Sequence, residues 1–132
     1  MRIIGGAARG RRLKVPKSPG VRPTAARVKE SLFNILPHDF SGLSVLDLFA
    51  GSGNVSIEAL SRGALKAVLI DESPRSTAVI RDNLERLGLS DRAQVWTAPV
   101  LRALRKLTAA AENFDLIFLD PPYERDWVAK TL

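Results

Sequence analysis

Cysteine is absent from the chain, and histidine occurs once, at His38, among 132 residues. The first absence excludes disulfides, thiolate zinc sites and a cysteine nucleophile. The second excludes a multi-histidine metal site, so no metal is expected. His38 follows Pro37 in an expected loop and reads as solvated. Long apolar runs are also missing, since none approaches the roughly 20 residues that cross a bilayer. The opening Met1-Arg2-Ile3-Ile4-Gly5-Gly6 lacks the apolar stretch of a signal peptide. A cytoplasmic protein with no membrane partner is expected. Acidic residues are scarce in one place: residues 1–30 hold nine Lys and Arg against the single acid Glu30, and the remainder holds eleven against thirteen.

The 45% of hydrophobic residues is enough to build one sizeable core and excludes a disordered chain. The basic block reads as an electrostatic footprint for a polyanion, because each phosphate contact releases condensed counterions. Gly5, Gly6, Gly10, Pro16, Pro19 and Pro23 favour an extended, partly strand-like arm that could lie along a nucleic-acid backbone. Thr24 is expected to cap a helix through about Leu36, with Val28, Leu32, Ile35 and Leu36 as its apolar stripe and Pro37 as its stop. Arg27 and Lys29 fall off that stripe and are expected to face a partner.

From there, strands and helices alternate. Strands are expected at Ser44 to Phe49, Ala67 to Ile70, Ala93 to Thr97 and Phe114 to Leu119. Helices are expected from Asn54 to Arg62, from Pro74 to the stop at Gly88, and from Pro99 to about Ala111. This is the spacing of βαβ units, which implies an α/β fold: a Rossmann-like parallel sheet with helices on both faces. No internal repeat interrupts it. The chain stops soon after Tyr123, with Trp127, Val128 and Leu132 opening another apolar helix, so the sheet is expected to be incomplete at the C-terminus. The organisation expected is a basic arm and helix over residues 1–40 and a ligand-binding core over 41–132.

Three groups of residues fall at strand ends, where open α/β sheets bind ligands. Asp47-Leu48-Phe49-Ala50-Gly51-Ser52-Gly53 is a glycine turn of the kind that lets a ligand approach a helix start. Ser56 stands where a dinucleotide fingerprint has its third glycine, and Asp47 sits badly beside a pyrophosphate. A cationic, phosphate-free cofactor suits the turn better. Asp71 lies 18 residues beyond Gly53 and is placed to accept from both hydroxyls of a ribose, with Glu72 as the alternative. Asp120-Pro121-Pro122-Tyr123 ends the fourth strand. Its prolines remove two backbone donors, leaving the Asp120 carboxylate and nearby carbonyls as acceptors for a planar amine.

Together these groups resemble the class I S-adenosylmethionine-dependent methyltransferases, with Asp120 to Tyr123 as the amino-methylating signature. Arg2 to Gly6, Arg9-Gly10-Arg11, Val21-Arg22-Pro23-Thr24, Arg27 to Asn34 and Glu58 to Gly63 are similar to the bacterial 16S ribosomal RNA guanine-N2 methyltransferase family, over essentially the whole chain. The resemblance implies methyl transfer from S-adenosylmethionine to the N2 amine of a guanine in 16S ribosomal RNA, free or within a 30S subunit or assembly intermediate. It implies catalysis by Asp120, Pro121 and Tyr123. The cofactor would be held by Asp47, Phe49, Ala50, Gly51 and Gly53, by Asp71 or Glu72, and by the Val100 N–H. RNA contacts would come from Arg9, Arg11, Arg12, Arg22, Thr24 and Arg27, and a complete sheet would be monomeric.

The sequence departs from the family at Ala98-Pro99-Val100. The usual Asp or Asn, which accepts from the adenine amine, is replaced there by Pro99. Two other functions compete with this reading. One is an amino methyltransferase acting on another base or on a protein amide. The other is an RNA-binding module without activity, motivated by Pro99 and the early end.

Overall fold

The computed structural model describes residues 1–15 and 26–119. Its centre is a parallel sheet of β1 (Ser44–Leu48), β2 (Lys66–Asp71), β3 (Ala93–Thr97) and β4 (Leu116–Leu119), in the order β3-β2-β1-β4. Helix α1 (Ala26–Ile35) precedes the sheet. The crossovers are α2 (Asn54–Ser61), α3 (Pro74–Arg86) with a short 3-10 turn at Ser90–Arg92, and α4 (Val100–Ala109).

The strands divide by their position in the sheet. In central β1 and β2 nearly every residue is buried, which is why they read as continuous Val, Leu and Ile runs. Strand β4, outermost on its side among the described residues, alternates, with Leu116 and Phe118 half-buried and Ile117 and Leu119 exposed. Val45, Ala67 and Leu69 point to the face covered by α2 and α3. Leu46, Leu48, Val68 and Ile70 meet Val100, Ala103 and Leu107 of α4 on the other face. Each of the buried Val, Leu and Ile side chains contributes about 1.5–3 kcal/mol, so the two faces carry most of the stability.

Residues 1–15 pack against the core. The Ile3 N–H donates to Arg11 O and the Leu13 N–H to Met1 O, closing a loop in which Arg2 and Arg12 pair as an antiparallel bridge. Ile3, Ala8 and Leu13 are buried in the same cluster as Ile57, Leu60, Ile80 and Leu84. Gly6, at φ 80°, allows the approach to α2. A Cβ there would overlap the Ser61 carbonyl oxygen, so any side chain would force the loop off the helix.

Helix α1 differs from its sequence-based expectation. Its buried face is Lys29 and Phe33, flanked by half-buried Leu32 and Leu36, whereas Val28 is 57% and Ile35 84% exposed. Lys29 faces no partner molecule. Its Nζ lies 3.0 Å from Glu58 Oε1 and donates to Arg2 O. Glu58, in mid-α2, also accepts from the Ile4 and Gly5 N–H groups and from Arg62 Nε. The Arg62 guanidinium then stacks over the Phe33 ring, 4.7 Å from its centroid. One buried carboxylate thus ties the N-terminal loop, α1 and α2 together. Apolar spacing could not show this, because the ammonium that turns inward pairs with an acid far along the chain.

Candidate functional site

The strand order places the site. The chain moves outward from β1 through β2 to β3 and then crosses back to β4 on the other side of β1. The crevice between the carboxyl ends of β1 and β4 is therefore the topological switch point, where ligands bind in open α/β sheets. Leu48 and Leu119 are register partners there, so the residues that follow them leave the sheet at the same level.

After β1 the backbone turns sharply. Phe49 has φ 63°, followed by Gly51 at φ 60° and Gly53 at φ 76°. A left-handed Phe costs roughly 1–2 kcal/mol, and such outliers concentrate where a ligand is gripped. The turn is pinned to β2: the Ala50 N–H donates to Ile70 O (2.8 Å) and the Gly51 N–H to Asp71 Oδ2 (2.9 Å). Asp71 Oδ1 accepts from the Ser73 N–H (2.9 Å), so one carboxylate organises the loops after both strands. A Cβ on Gly53 would press on Ile80, Ile57 and Leu69 at 3.1–3.2 Å, while one on Gly51 would meet nothing within 4 Å. The turn is therefore packed on its inner side and open on its outer side, as a cradle must be.

Asp47 is buried beneath this turn and accepts from the Ser56 hydroxyl (2.7 Å). The position read as a missing third glycine thus has a role of its own, holding α2 to β1 through a side-chain bond. Ala50 is half-buried, and Glu72 is exposed next to the better anchored Asp71. Val100 buries its side chain under α4, and its N–H belongs to the unpaired first turn of that helix. Asp47, Phe49, Ala50, Gly51, Gly53, Asp71 and Val100 all lie at one edge of the sheet. Asp120, Pro121 and Tyr123 follow β4 in the sequence and lie outside the described residues, as do Arg22 and Thr24.

The arginines of the N-terminal loop sit elsewhere. Arg11 donates to Arg86 O at the end of α3, and Arg86 donates to Arg12 O. Helices that follow parallel strands run back across the sheet, so Arg11 and Arg12 stand at the edge opposite the crevice. The thirteen residues of α3 separate the two edges by roughly 20 Å. Arg9 and Arg27 are exposed. Among the described residues no cluster of acidic or histidine side chains is placed to hold a metal ion, and no helix is long and apolar enough to cross a membrane.

A family model described as Conserved hypothetical protein 95 matches residues 1–132. The Ribosomal RNA small subunit methyltransferase D of Escherichia coli K12 is 40% identical over 132 residues, covering 100% of this chain and 65% of that protein. Among solved structures, the hypothetical protein TTHA0928 of Thermus thermophilus superposes with a TM-score of 0.85 at 40% identity, covering 98% of this chain and 74% of that one. The structure of SMU.776 complexed with S-adenosylhomocysteine gives a TM-score of 0.63 at 26% identity, over 73% of this chain and 25% of that one. The chain spans about two thirds of the length of the curated relatives it matches. The sheet is the Rossmann-like sheet of the class I methyltransferases, as the sequence led one to expect. Matched from its first residue to its last, the chain belongs to the Conserved hypothetical protein 95 family, the family of the small-subunit ribosomal RNA methyltransferases that resemble it.

Proposed function

We propose that this chain carries the cofactor-binding and amino-methylating part of an S-adenosylmethionine-dependent methyltransferase acting on the N2 amine of a guanine in 16S ribosomal RNA. The observation that supports it most is the glycine turn after β1. Asp71 clasps it at the switch point, one strand away from the strand that leads into Asp120-Pro121-Pro122-Tyr123. The residues present suit the cofactor. Gly51 leaves room on the open side, Asp71 keeps lone pairs for ribose hydroxyls, and no basic side chain in the turn asks for a phosphate.

Bound S-adenosylmethionine supplies a sulfonium-activated methyl group. The chain's task is then alignment, which can account for most of a methyl transfer's acceleration. The guanine amine is a weak nucleophile because its lone pair is delocalised into the ring. The Asp120 carboxylate and the Pro121 carbonyl accept its two N–H bonds and turn the lone pair out of the ring plane, while Tyr123 stacks on the extruded base. Methyl transfer would leave the amine with a surplus proton, which Asp120 or water would take.

Asp120→Ala is expected to lower the single-turnover rate on 16S ribosomal RNA or 30S subunits by at least about a hundredfold, with cofactor affinity retained. Nuclease digestion and mass spectrometry of the product would identify the methylated base. A methyl group on adenine or cytosine would replace guanine N2 with another amino methyltransferase activity. Loss of cofactor binding with RNA affinity retained would favour a binding module.

The basic loop gives a separate expectation. Replacing Arg9, Arg11 and Arg12 together by Ala should weaken RNA binding and lower its logarithmic salt slope by up to roughly 0.9 for each duplex phosphate that is no longer neutralised. Arg11 and Arg12, about 20 Å from the crevice along α3, would touch RNA well away from the target base. Single-turnover rates at saturating RNA should therefore stay near the parent's. An unchanged slope would mean that the three side chains neutralise no phosphate and that Arg11 serves only to close the loop against the end of α3.

A further inference from the structure

The turn after β3 holds no side-chain acceptor, and its backbone is largely committed. The Ala98 N–H donates to Asp71 O (3.0 Å), and Pro99 has no N–H. Thr97, one residue earlier, ends β3 as the register partner of Asp71. Register partners in a parallel sheet lie at the same level with their side chains on the same face, about 4.8 Å apart. Thr97 thus stands one strand beyond the carboxylate read as the ribose anchor, on the side where the base of a nucleoside would continue.

The Thr97 hydroxyl is held by a second hydroxyl, and either of the two can donate. Thr77 Oγ1, buried in the first turns of α3, donates to Pro74 O (3.2 Å) and lies 2.7 Å from Thr97 Oγ1. A hydroxyl has one proton to give. With the Thr77 proton on the Pro74 carbonyl, Thr97 donates in the short contact and keeps both of its own lone pairs; with the order reversed it still keeps one. Among the described residues no group other than Thr77 reaches the Thr97 oxygen, and Thr97 is exposed.

We infer that Thr97 is the acceptor for the exocyclic amine of the cofactor's adenine, with Thr77 as the positioning residue that holds its hydroxyl; this rests on the cofactor reading above. Thr97 takes over the task for which the replaced position at Pro99 has no group. The Val100 N–H, unpaired at the start of α4, is the complementary donor for adenine N1. An acceptor beside a donor matches the amino edge of adenine and mismatches a 6-oxo purine.

The test is isothermal titration of S-adenosylhomocysteine and its 6-oxo analogue, S-inosylhomocysteine, into the chain and its Thr97→Val, Thr97→Ser and Thr77→Val variants. Valine keeps the β-branched shape that suits a strand end, so the fold should survive. Thr97→Val should weaken the adenosyl ligand about tenfold and leave the inosyl ligand unchanged, erasing most of the preference between them. Thr97→Ser should retain parent affinity, and Thr77→Val should move the preference in the same direction by less. Equal adenosyl affinity in parent and Thr97→Val, or equal loss of both ligands, would overturn the role of Thr97 while leaving the cofactor reading intact. Failure of the parent chain to bind the adenosyl ligand would overturn both.

Discussion

Glu58→Ala is expected to destabilise the chain by about 3–5 kcal/mol, a large part of the 5–15 kcal/mol that holds a typical domain folded. The side chains of Glu58 and Lys29 are both fully buried, and Arg62 is only 8% exposed. Removing the carboxylate strands two cations in the interior and leaves the Ile4 and Gly5 N–H groups unpaired. Lys29→Met should cost less. Burial already depresses the ammonium's pKa below its ordinary 10.5 against the pull of Glu58, and Glu58 would keep Arg62 and both backbone donors. Urea midpoints for the parent and both variants would check this. A Glu58→Ala midpoint equal to the parent's would mean that the N-terminal loop is held by its apolar contacts alone.

The same carboxylate sets an acid limit. Burial raises the pKa of Glu58, but hydrogen bonds from Ile4, Arg62, Lys29 and Gly5 together outweigh it and hold the group below its ordinary 4.5. With the folded value below the unfolded one, its stabilisation is complete above about pH 4.5 and disappears as the pH falls through the lower, folded value. Lys29 has its window at the other end. The folded chain binds that proton less tightly than the unfolded chain, so stability rises with pH between the depressed value and 10.5. The acid slope of parent stability should therefore be steeper than that of a Glu58→Gln variant.

What the sequence made legible follows from the kind of physics involved. The central strands were readable because burial on two faces demands unbroken Val, Leu and Ile, and the turn after β1 because glycine is the residue that tolerates left-handed backbone. The boundary at Phe49 was not readable, since a phenylalanine at φ 63° is imposed by the bonds of Ala50 and Gly51 to β2. The fourth strand begins at Leu116 and not at Phe114. Asp115 instead clasps the start of β1: its N–H donates to Ser44 O and its carboxylate accepts the Ser44 N–H. Lys29 escaped because polarity patterns assume that a charge faces water, and its compensating acid lies in another helix. The Thr77–Thr97 contact joins a helix to a strand end twenty residues away, a relation that no residue type announces.

Asp71→Ala should reduce S-adenosylhomocysteine affinity by a hundredfold or more, with little loss of global stability. Each carboxylate oxygen of Asp71 already accepts one backbone N–H, from Gly51 or from Ser73, and has capacity for one further bond. Two ribose hydroxyls can therefore add to the anchor without displacing the loop bonds. A hydrogen bond to a charged group is worth about 1.5–3 kcal/mol, so two of them set the hundredfold scale. Truncation also frees the Gly51 N–H, and the turn that begins at left-handed Phe49 loses a clamp that keeps it strained and ready. The half-exposed position of Asp71 makes the cost local, because water can satisfy what the carboxylate releases. Asp71→Asn separates the two effects. Its amide oxygen can keep one loop N–H, but the NH2 group meets the ribose as a donor where an acceptor is needed. Titration should therefore find Asn nearly as weak as Ala for the ligand, while the thermal midpoint of Asn stays closer to the parent's. Equal binding by all three proteins would move the ribose to Glu72 or out of this crevice altogether.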